Sequence, residues 1–386
     1  MEKKYQPMLV VVSLLTGKGP TGVETHFNLI LKCADNKGIE TLLVIPHDAH
    51  WFWRKIPNGI GRLLKLFNPE YAAMWNRMVS YRRLRRTLQF VLAQNVGRFV
   101  ALYAQDPLSA AAALDARKSS RCRVVAVSHF NVSEASEMAV KGLTSEGGLL
   151  WRALMRTERS SLPRVDQLIF VSRFMSRVVN QRLPQLSQVS QVVIPNFSPT
   201  PINVSGDYIK LAGDLIAIGT LEPRKNQGYL LRVLAACSKR GRIYQLTLVG
   251  DGPDRECLVH LAKQLGVYEQ VNFLGFIKNA ASLMSSHRIF VHASMMESFG
   301  IVIVEALARG LPVISSAVGG IPEIITEGVE GYFWNLDDPE GGADILISLL
   351  EDPIRLKKMS YQAKQTFQNR FHPDTLSEKW MTAIAG

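Results

Sequence analysis

The sequence predicts an α/β protein of two domains in tandem, each a parallel sheet flanked by helices, and three observations carry that expectation. Short apolar runs alternate with longer helical patterns along most of the 386 residues, as in repeated strand–helix–strand units. The alternation comes in two series, separated by a stretch with linker composition, Phe-Ser-Pro-Thr-Pro-Ile-Asn-Val-Ser-Gly-Asp-Tyr-Ile-Lys at 197–210. The length suffices for two ordinary domains, and 47% hydrophobic against 20% charged residues is the balance of a globular chain. Parallel sheets of this kind bind ligands at the C-terminal ends of their strands, so two in tandem frame a cleft.

In the first series the candidate strands are 8–15, 41–46, 99–104, 122–127, 167–171 and 189–194. Lys3 and Lys4 before the apolar run Met8–Leu15 faintly resemble a signal peptide, but no small-x-small cleavage site follows, so the run reads as a buried strand. Thr21-Gly22-Val23-Glu24 matches a capping box opening the first helix, and Gly38 can end that helix. In the second series the candidate strands are 214–218, 244–249, 270–274, 288–292 and 312–315. The expected organisation is a domain at 1–196, a linker at 197–211, a second domain at 212–370, and a final helix at 371–386 available to pack back on the first domain. No uninterrupted apolar stretch approaches the roughly 20 residues of a spanning helix.

Net charge is +12 and lopsided: residues 1–200 hold 27 Lys/Arg against 13 Asp/Glu, while 201–386 hold 18 against 20. An anionic partner is therefore expected for the first half only. Within it, 51–90 is the distinctive segment. Trp51 and Trp53 stand beside Arg54 and Lys55, and Arg82, Arg83, Arg85 and Arg86 follow; Glu70 is the only acid between 54 and 90. Aromatic and basic residues on amphipathic segments suit an anionic membrane surface, and no nucleic-acid-binding motif accompanies them. A solvated helical face is the plain alternative. Cys33, Cys122, Cys237 and Cys257 form no CxxC pair, have no metal-ligand spacing and suit a reducing cytosol.

The most informative stretch runs from Ser294 to Ile314. Glu297 falls in a loop before an apolar helix that has Gly300 near its start, and Glu305 lies inside the run Ile301–Ala308. A buried carboxylate costs several kcal/mol unless partnered, and helix N-termini favour anions. Carboxylates for sugar hydroxyls beside backbone N–H groups for phosphate suit a nucleotide sugar. Arg224 and Lys225 in Gly219–Asn226, the loop after the series' first strand, suit a diphosphate. Gly250, in the strand-end turn Val249–Pro253, lets a nucleobase lie against backbone, or simply makes a turn. Gly319-Gly320-Ile321-Pro322-Glu323 reads as a helix start. His129 follows the apolar strand 123–128, at the edge that faces the expected cleft. Gly17-Lys18-Gly19-Pro20-Thr21-Gly22 matches the dinucleotide fingerprint, but the second strand ends in Pro46-His47 rather than an acid, and Pro20 removes an N–H. The chain has no Asp-x-Asp, HExxH, Gly-x-Ser-x-Gly or P-loop lysine, so metal and serine hydrolysis lose support.

Together these residues resemble the group 1 retaining glycosyltransferases. Glu297-Ser-Phe-Gly-Ile-Val-Ile-Val-Glu305 matches the family's E-x7-E element. Gly219–Asn226, Val249–Pro253, Val271–Phe276, Gly310–Val313 and Gly319–Glu323 stand around it in family order. The resemblance implies two Rossmann-like domains facing a central cleft, the GT-B architecture. It implies that Glu297 binds hydroxyls of the transferred sugar, Glu305 holds the ribose, and Arg224 and Lys225 neutralise the diphosphate. The backbone at Phe299, Gly300 and Ile301 would contact donor sugar and phosphate, with Gly22 approaching the phosphate and His129 the sugar near its anomeric centre. No metal and no cofactor beyond a UDP- or GDP-linked co-substrate is expected. The expected acceptor is a lipid-linked or other saccharide, in surface polysaccharide, lipopolysaccharide or glycolipid assembly at the inner face of the cytoplasmic membrane. The chain departs from the family pattern at Thr21-Gly22, Gly219-Thr220 and Asn196-Phe197. A Rossmann dehydrogenase, a GT-B epimerase and a non-catalytic binder of anionic lipid or polysaccharide are the alternatives.

Overall fold

The computed structural model describes residues 7–17, 19, 21–46, 52–117, 121–130, 132–201 and 213–386, over 52–59 as helix backbone alone. The chain divides into two compact units, Met1–Pro195 with Ser377–Gly386, and Asn196–Leu376. Of the expected linker, residues 202–211 lie outside the described residues.

The first unit begins β1 (Met8–Val12), α1 (Gly22–Asn36), β2 (Glu40–Val44), α2 (Phe52–Phe67), α3 (Pro69–Gln94) and β3 (Val100–Ala104). It continues α4 (Pro107–Ala116), β4 (Cys122–Ser128), α5 (Glu134–Val140), α6 (Leu149–Ser161), β5 (Gln167–Phe170), α7 (Arg173–Arg182) and β6 (Gln191–Val193). Its strands pair in parallel in the order β2-β1-β3-β4-β5-β6. All five residues of β1, Met-Leu-Val-Val-Val, are buried, as expected of a strand covered on both faces. The expected strand 8–15 stops at Val12: Ser13 N–H still reaches the Val44 carbonyl (3.2 Å), but the donors beyond it turn to side chains. Leu14 N–H donates to Asp106 Oδ2 (3.4 Å) and Leu15 N–H to Ser13 Oγ (3.0 Å).

The second unit contains β7 (Gly213–Ile218), α8 (Gln227–Lys239), β8 (Leu246–Val249), α9 (Arg255–Gln264), β9 (Val271–Gly275), β10 (His287–His292) and α10 (Ile301–Ala308). β11 (Val313–Ser316), β12 (Gly331–Trp334), α11 (Pro339–Leu350) and α12 (Pro353–Thr366) follow, and α13 (Pro373–Ala385) ends the chain. The sheet order is β12-β11-β10-β7-β8-β9, all parallel. The chain winds outward from β7 through β9, then crosses back to lay β10 on the other side of β7. That reversal is a topological switch point, where ligands bind at strand C-terminal ends. β12 is absent from the sequence expectation. It is a four-residue edge strand opening on Gly331, where a Cβ would stand 1.8 Å from the Val313 carbonyl oxygen, so a residue that usually marks a turn serves here as strand. The helix start expected at Gly319–Glu323 is a single 3₁₀ turn, Ile321–Glu323.

At the end of the chain Trp380 is fully buried within the first unit. Its ring lies 4.5 Å from His26 and 6.2 Å from Tyr103, and its Nε1 donates to the Pro195 carbonyl at 3.0 Å. Truncating a buried tryptophan costs about 3–5 kcal/mol. Trp380→Ala should therefore lower the unfolding free energy by that much, read in urea as a lower midpoint at an unchanged slope.

Candidate functional site

The two strands that meet at the second unit's switch point each end in a loop that opens a helix. After β7 comes Gly219–Asn226, in which Pro223–Lys225 form one 3₁₀ turn and Asn226 is left-handed (φ 48°). After β10 comes 293–300, leading into α10. Met295 N–H (2.9 Å) and Ser294 Oγ (3.2 Å) both donate to the Arg224 carbonyl, and the Arg224 guanidinium donates to the Met296 carbonyl (3.1 Å). Gly320 N–H donates to the Glu297 carbonyl (3.1 Å). Gly319 (φ 59°) lies against the same carbonyl, and a Cβ there would stand 1.7 Å from its oxygen. Close approach, rather than capping, is why glycine stands at 319.

These bonds bring Arg224, Lys225 and Glu297 together. Lys225 Nζ donates to Glu297 Oε1, His292 Nε2 lies 3.2 Å from the same oxygen, and Arg224 Nη1 stands at 3.8 Å. Glu297 is 8% exposed. Burial alone would raise its pKa, but Lys225, the His292 hydrogen bond and Arg224 outweigh burial and hold the carboxyl well below the usual range. Burial pushes His292 down against the pull of Glu297, so at neutral pH it is a neutral imidazole. A carboxylate can only accept, so Nε2 carries the proton. Arg224 also pairs with Glu222 (Nη2–Oε1, 2.6 Å), which leaves Lys225 as the cation in direct contact with Glu297.

Gly300, in the left-handed region (φ 98°), precedes α10, and no side chain caps it. The Phe299 ring packs on Phe371 (centroids 6.1 Å apart), so residue 299 offers ligands its backbone only, and Ile301 begins the helix. Glu305, on the second turn of α10, is partly buried. Burial pushes its carboxyl up to about 7 against the pull of Arg309. Gly250 uses its freedom inside the protein: at φ 139°, a Cβ would lie 2.0 Å from the Gly219 carbonyl oxygen.

In the first unit, His129 follows β4, with Nε2 3.3 Å from Gln105 Oε1 and its ring 5.0 Å from that of His26. Burial lowers its pKa to about 3, so it is a neutral hydrogen-bonding group. Gly22 is the first residue of α1. Half of the expected capping box forms: Glu24 N–H donates to Thr21 Oγ1 (3.2 Å), but the Glu24 carboxylate accepts from the Thr21 hydroxyl (2.9 Å) rather than from the Thr21 N–H. The Glu24 carboxylate also accepts from Gly17 N–H (2.9 Å) and Gly19 N–H (3.0 Å), so an internal anion occupies this glycine loop. Sequence reasoning missed His26, whose Nε2 lies 2.7 Å from Tyr103 Oη, and His292. His26 sits in the buried row His26, Ile30, Ala34 of α1, and His292 has the strand-end placement that singled out His129.

Trp51 lies outside the described residues, as do the side chains of Trp53, Arg54 and Lys55. Arg82, Arg85 and Arg86 are exposed and Arg83 half-buried. Arg77 does not belong to an open basic face: it pairs with buried Glu134 (Nη2–Oε2, 3.0 Å). Among the described residues no helix is long and apolar enough to cross a membrane, and no group of three or more His, Cys, Asp or Glu could hold a metal ion.

Residues 212–366 match the family described as glycosyl transferases group 1, and residues 20–200 match glycosyltransferase family 4. Both units thus match glycosyltransferase families, the second the group 1 family. It is 37% identical over 138 residues to the N-acetyl-alpha-D-glucosaminyl L-malate synthase of Bacillus anthracis, covering 36% of each chain. It is 28% identical over 198 residues to the lipopolysaccharide core biosynthesis glycosyltransferase LpsE of Rhizobium meliloti, covering 50% of this chain and 57% of that one. The matches thus span about a third and rather over half of these relatives' lengths. The crystal structure of Anabaena HepE in complex with UDP and glucose is 19% identical, with a TM-score of 0.71, covering 98% of this chain and 100% of that one. The chain has the two Rossmann-like domains of the GT-B fold.

The raised pKa of Glu305 has a signed consequence. The unfolded state ionises near 4.5 and the folded state near 7, so stability from this group is present below pH 4.5 and lost as pH rises to 7. Urea titrations across that range should show the ligand-free wild type losing about 1–3 kcal/mol relative to Glu305→Gln.

Proposed function

We propose that this protein is a metal-independent, retaining hexosyltransferase that moves a sugar from a UDP- or GDP-sugar to a lipid-linked or saccharide acceptor. The single observation that carries the reading is the set of Lys225, Arg224 and His292 around the Glu297 carboxylate. It stands in the loops that meet at the switch point, just before the uncapped start of α10. Glu297 suits sugar hydroxyls. Lys225 and the α10 N-terminus stabilise negative charge as it develops on the departing β-phosphate, the task a metal performs elsewhere. The second domain holds the donor and the first the acceptor. The LpsE likeness supports surface polysaccharide or lipopolysaccharide assembly. A nicotinamide enzyme is disfavoured because Glu24 occupies the N–H groups that a pyrophosphate would need.

A second observation supports a membrane-proximal acceptor. Leu63, Leu66, Phe67 and Tyr71 are exposed around the α2–α3 corner, Leu66 by 83% and Phe67 by 80%. Glu70 ties that corner to the segment after α5, accepting from Thr144 Oγ1 (2.5 Å) and Leu149 N–H (3.2 Å). Val140, Leu143 and Leu149 are exposed on that segment, with Arg62, Lys65 and Lys141 exposed nearby in sequence. Apolar residues rimmed by cations suit peripheral binding to an anionic bilayer, at the inner face of the cytoplasmic membrane.

Lys225→Ala should remain folded, though less stable because the buried Glu297 carboxylate loses a cation, and should lower transfer from the donor identified in a screen of UDP- and GDP-sugars by about 100-fold, while chelation by EDTA leaves wild-type turnover unchanged. Near-normal turnover of the variant would remove the phosphate role. The wild type should sediment with phosphatidylglycerol-containing vesicles, less so at high salt, and a Leu66→Ser/Phe67→Ser double variant should stay in solution. Equal, weak binding to neutral and anionic vesicles would remove the membrane role.

A further inference from the structure

We infer that His292 is a positioning residue that fixes the Glu297 carboxylate while Lys225 engages the donor diphosphate. The inference rests on the glycosyl-transfer reading and adds to it a residue outside the E-x7-E element. All three cationic or N–H groups around Glu297 converge on one oxygen, Oε1, which orients the carboxylate and leaves Oε2 for a hydroxyl of the transferred sugar. Lys225, however, serves two anions. An incoming diphosphate competes with Glu297 for its ammonium, a point charge on a flexible stem.

Arg224 cannot take its place at Oε1. Its Nη2 is bonded to Glu222 (2.6 Å) and its Nη1 to the Met296 carbonyl (3.1 Å), and it stands 3.8 Å from the carboxylate. The donor that stays is His292. It ends β10, at the middle of the sheet, and is 5% exposed. Its ring is stacked on Phe290 (centroids 6.1 Å apart, planes 20° apart), and its carbonyl accepts from Trp334 Nε1 (3.1 Å). A rigid neutral N–H holds the carboxylate in place without adding another cation to the site.

The test is calorimetric titration of the wild type, His292→Leu and His292→Gln. The ligands are UDP and GDP, compared with UDP-glucose, UDP-N-acetylglucosamine and GDP-mannose. His292→Leu should weaken the sugar nucleotide that binds by about tenfold, the effect of one hydrogen bond to a charged group, and the bare diphosphate by less than about twofold. His292→Gln, which keeps an N–H where Nε2 stood, should recover most of the loss. Equal losses on both ligands, no loss on either, or a Gln variant as poor as the Leu variant would each overturn the positioning role while leaving the donor-site reading intact. A wild type that bound neither diphosphate would overturn that reading and this inference with it.

Discussion

A buried anion organises the second domain. The Glu297 carboxylate is stable where it lies only because Lys225 and His292 reach it. Lys225 comes from the loop after β7 and His292 from the end of β10, so the pairing requires those two strands to be neighbours. A sheet wound in sequence order would separate them; the order β12-β11-β10-β7-β8-β9 places them side by side. The stitching between the Arg224 and Met295 backbones and the close seat of Gly319 under the Glu297 carbonyl then fix the loops that carry the charges.

The two domains use a similar strand–glycine–helix device to opposite ends. In the first, the chain supplies its own anion: Glu24 fills the glycine loop ahead of α1, and a Cβ at Gly19 would fall 2.2 Å from a Glu24 oxygen and displace it. In the second, the start of α10 has no side-chain cap, and the nearby carboxylate is neutralised by a lysine. The same local pattern can therefore mark an occupied anion site or an open one. The difference lies in which side chain folds back, which a fingerprint of glycines does not encode.

That distinction runs through what was legible in the sequence. The strands were readable because each is a short apolar run with both faces covered, as β1 shows. Their termini were not, because polar side chains such as Ser13 and Asp106 end β1 from outside its own pattern. β12 was hidden by its opening glycine. In the site, Arg224, Lys225 and Glu297 could be paired by motif, but the role of Glu222 in holding Arg224 needed the fold. Histidine gives no periodic signal, so His26 and His292 passed unnoticed among apolar neighbours. Charge counting over 51–90 does not separate Arg77, which closes on Glu134, from Arg82 and Arg85, which face solvent.

The glycines around the loops of the candidate site carry a further consequence. Positions that a Cβ would occupy at Gly250, Gly252 and Gly319 are filled by the carbonyls of Gly219, Leu221 and Glu297, all within 2.3 Å. Main chain rests on main chain, so these loops have little room to reroute. A descendant protein with a different ligand at this site would keep this scaffold and change the side chains projecting from it, such as Glu222, Asp251 or Met295, because a new loop path would have to break several interlocked contacts at once.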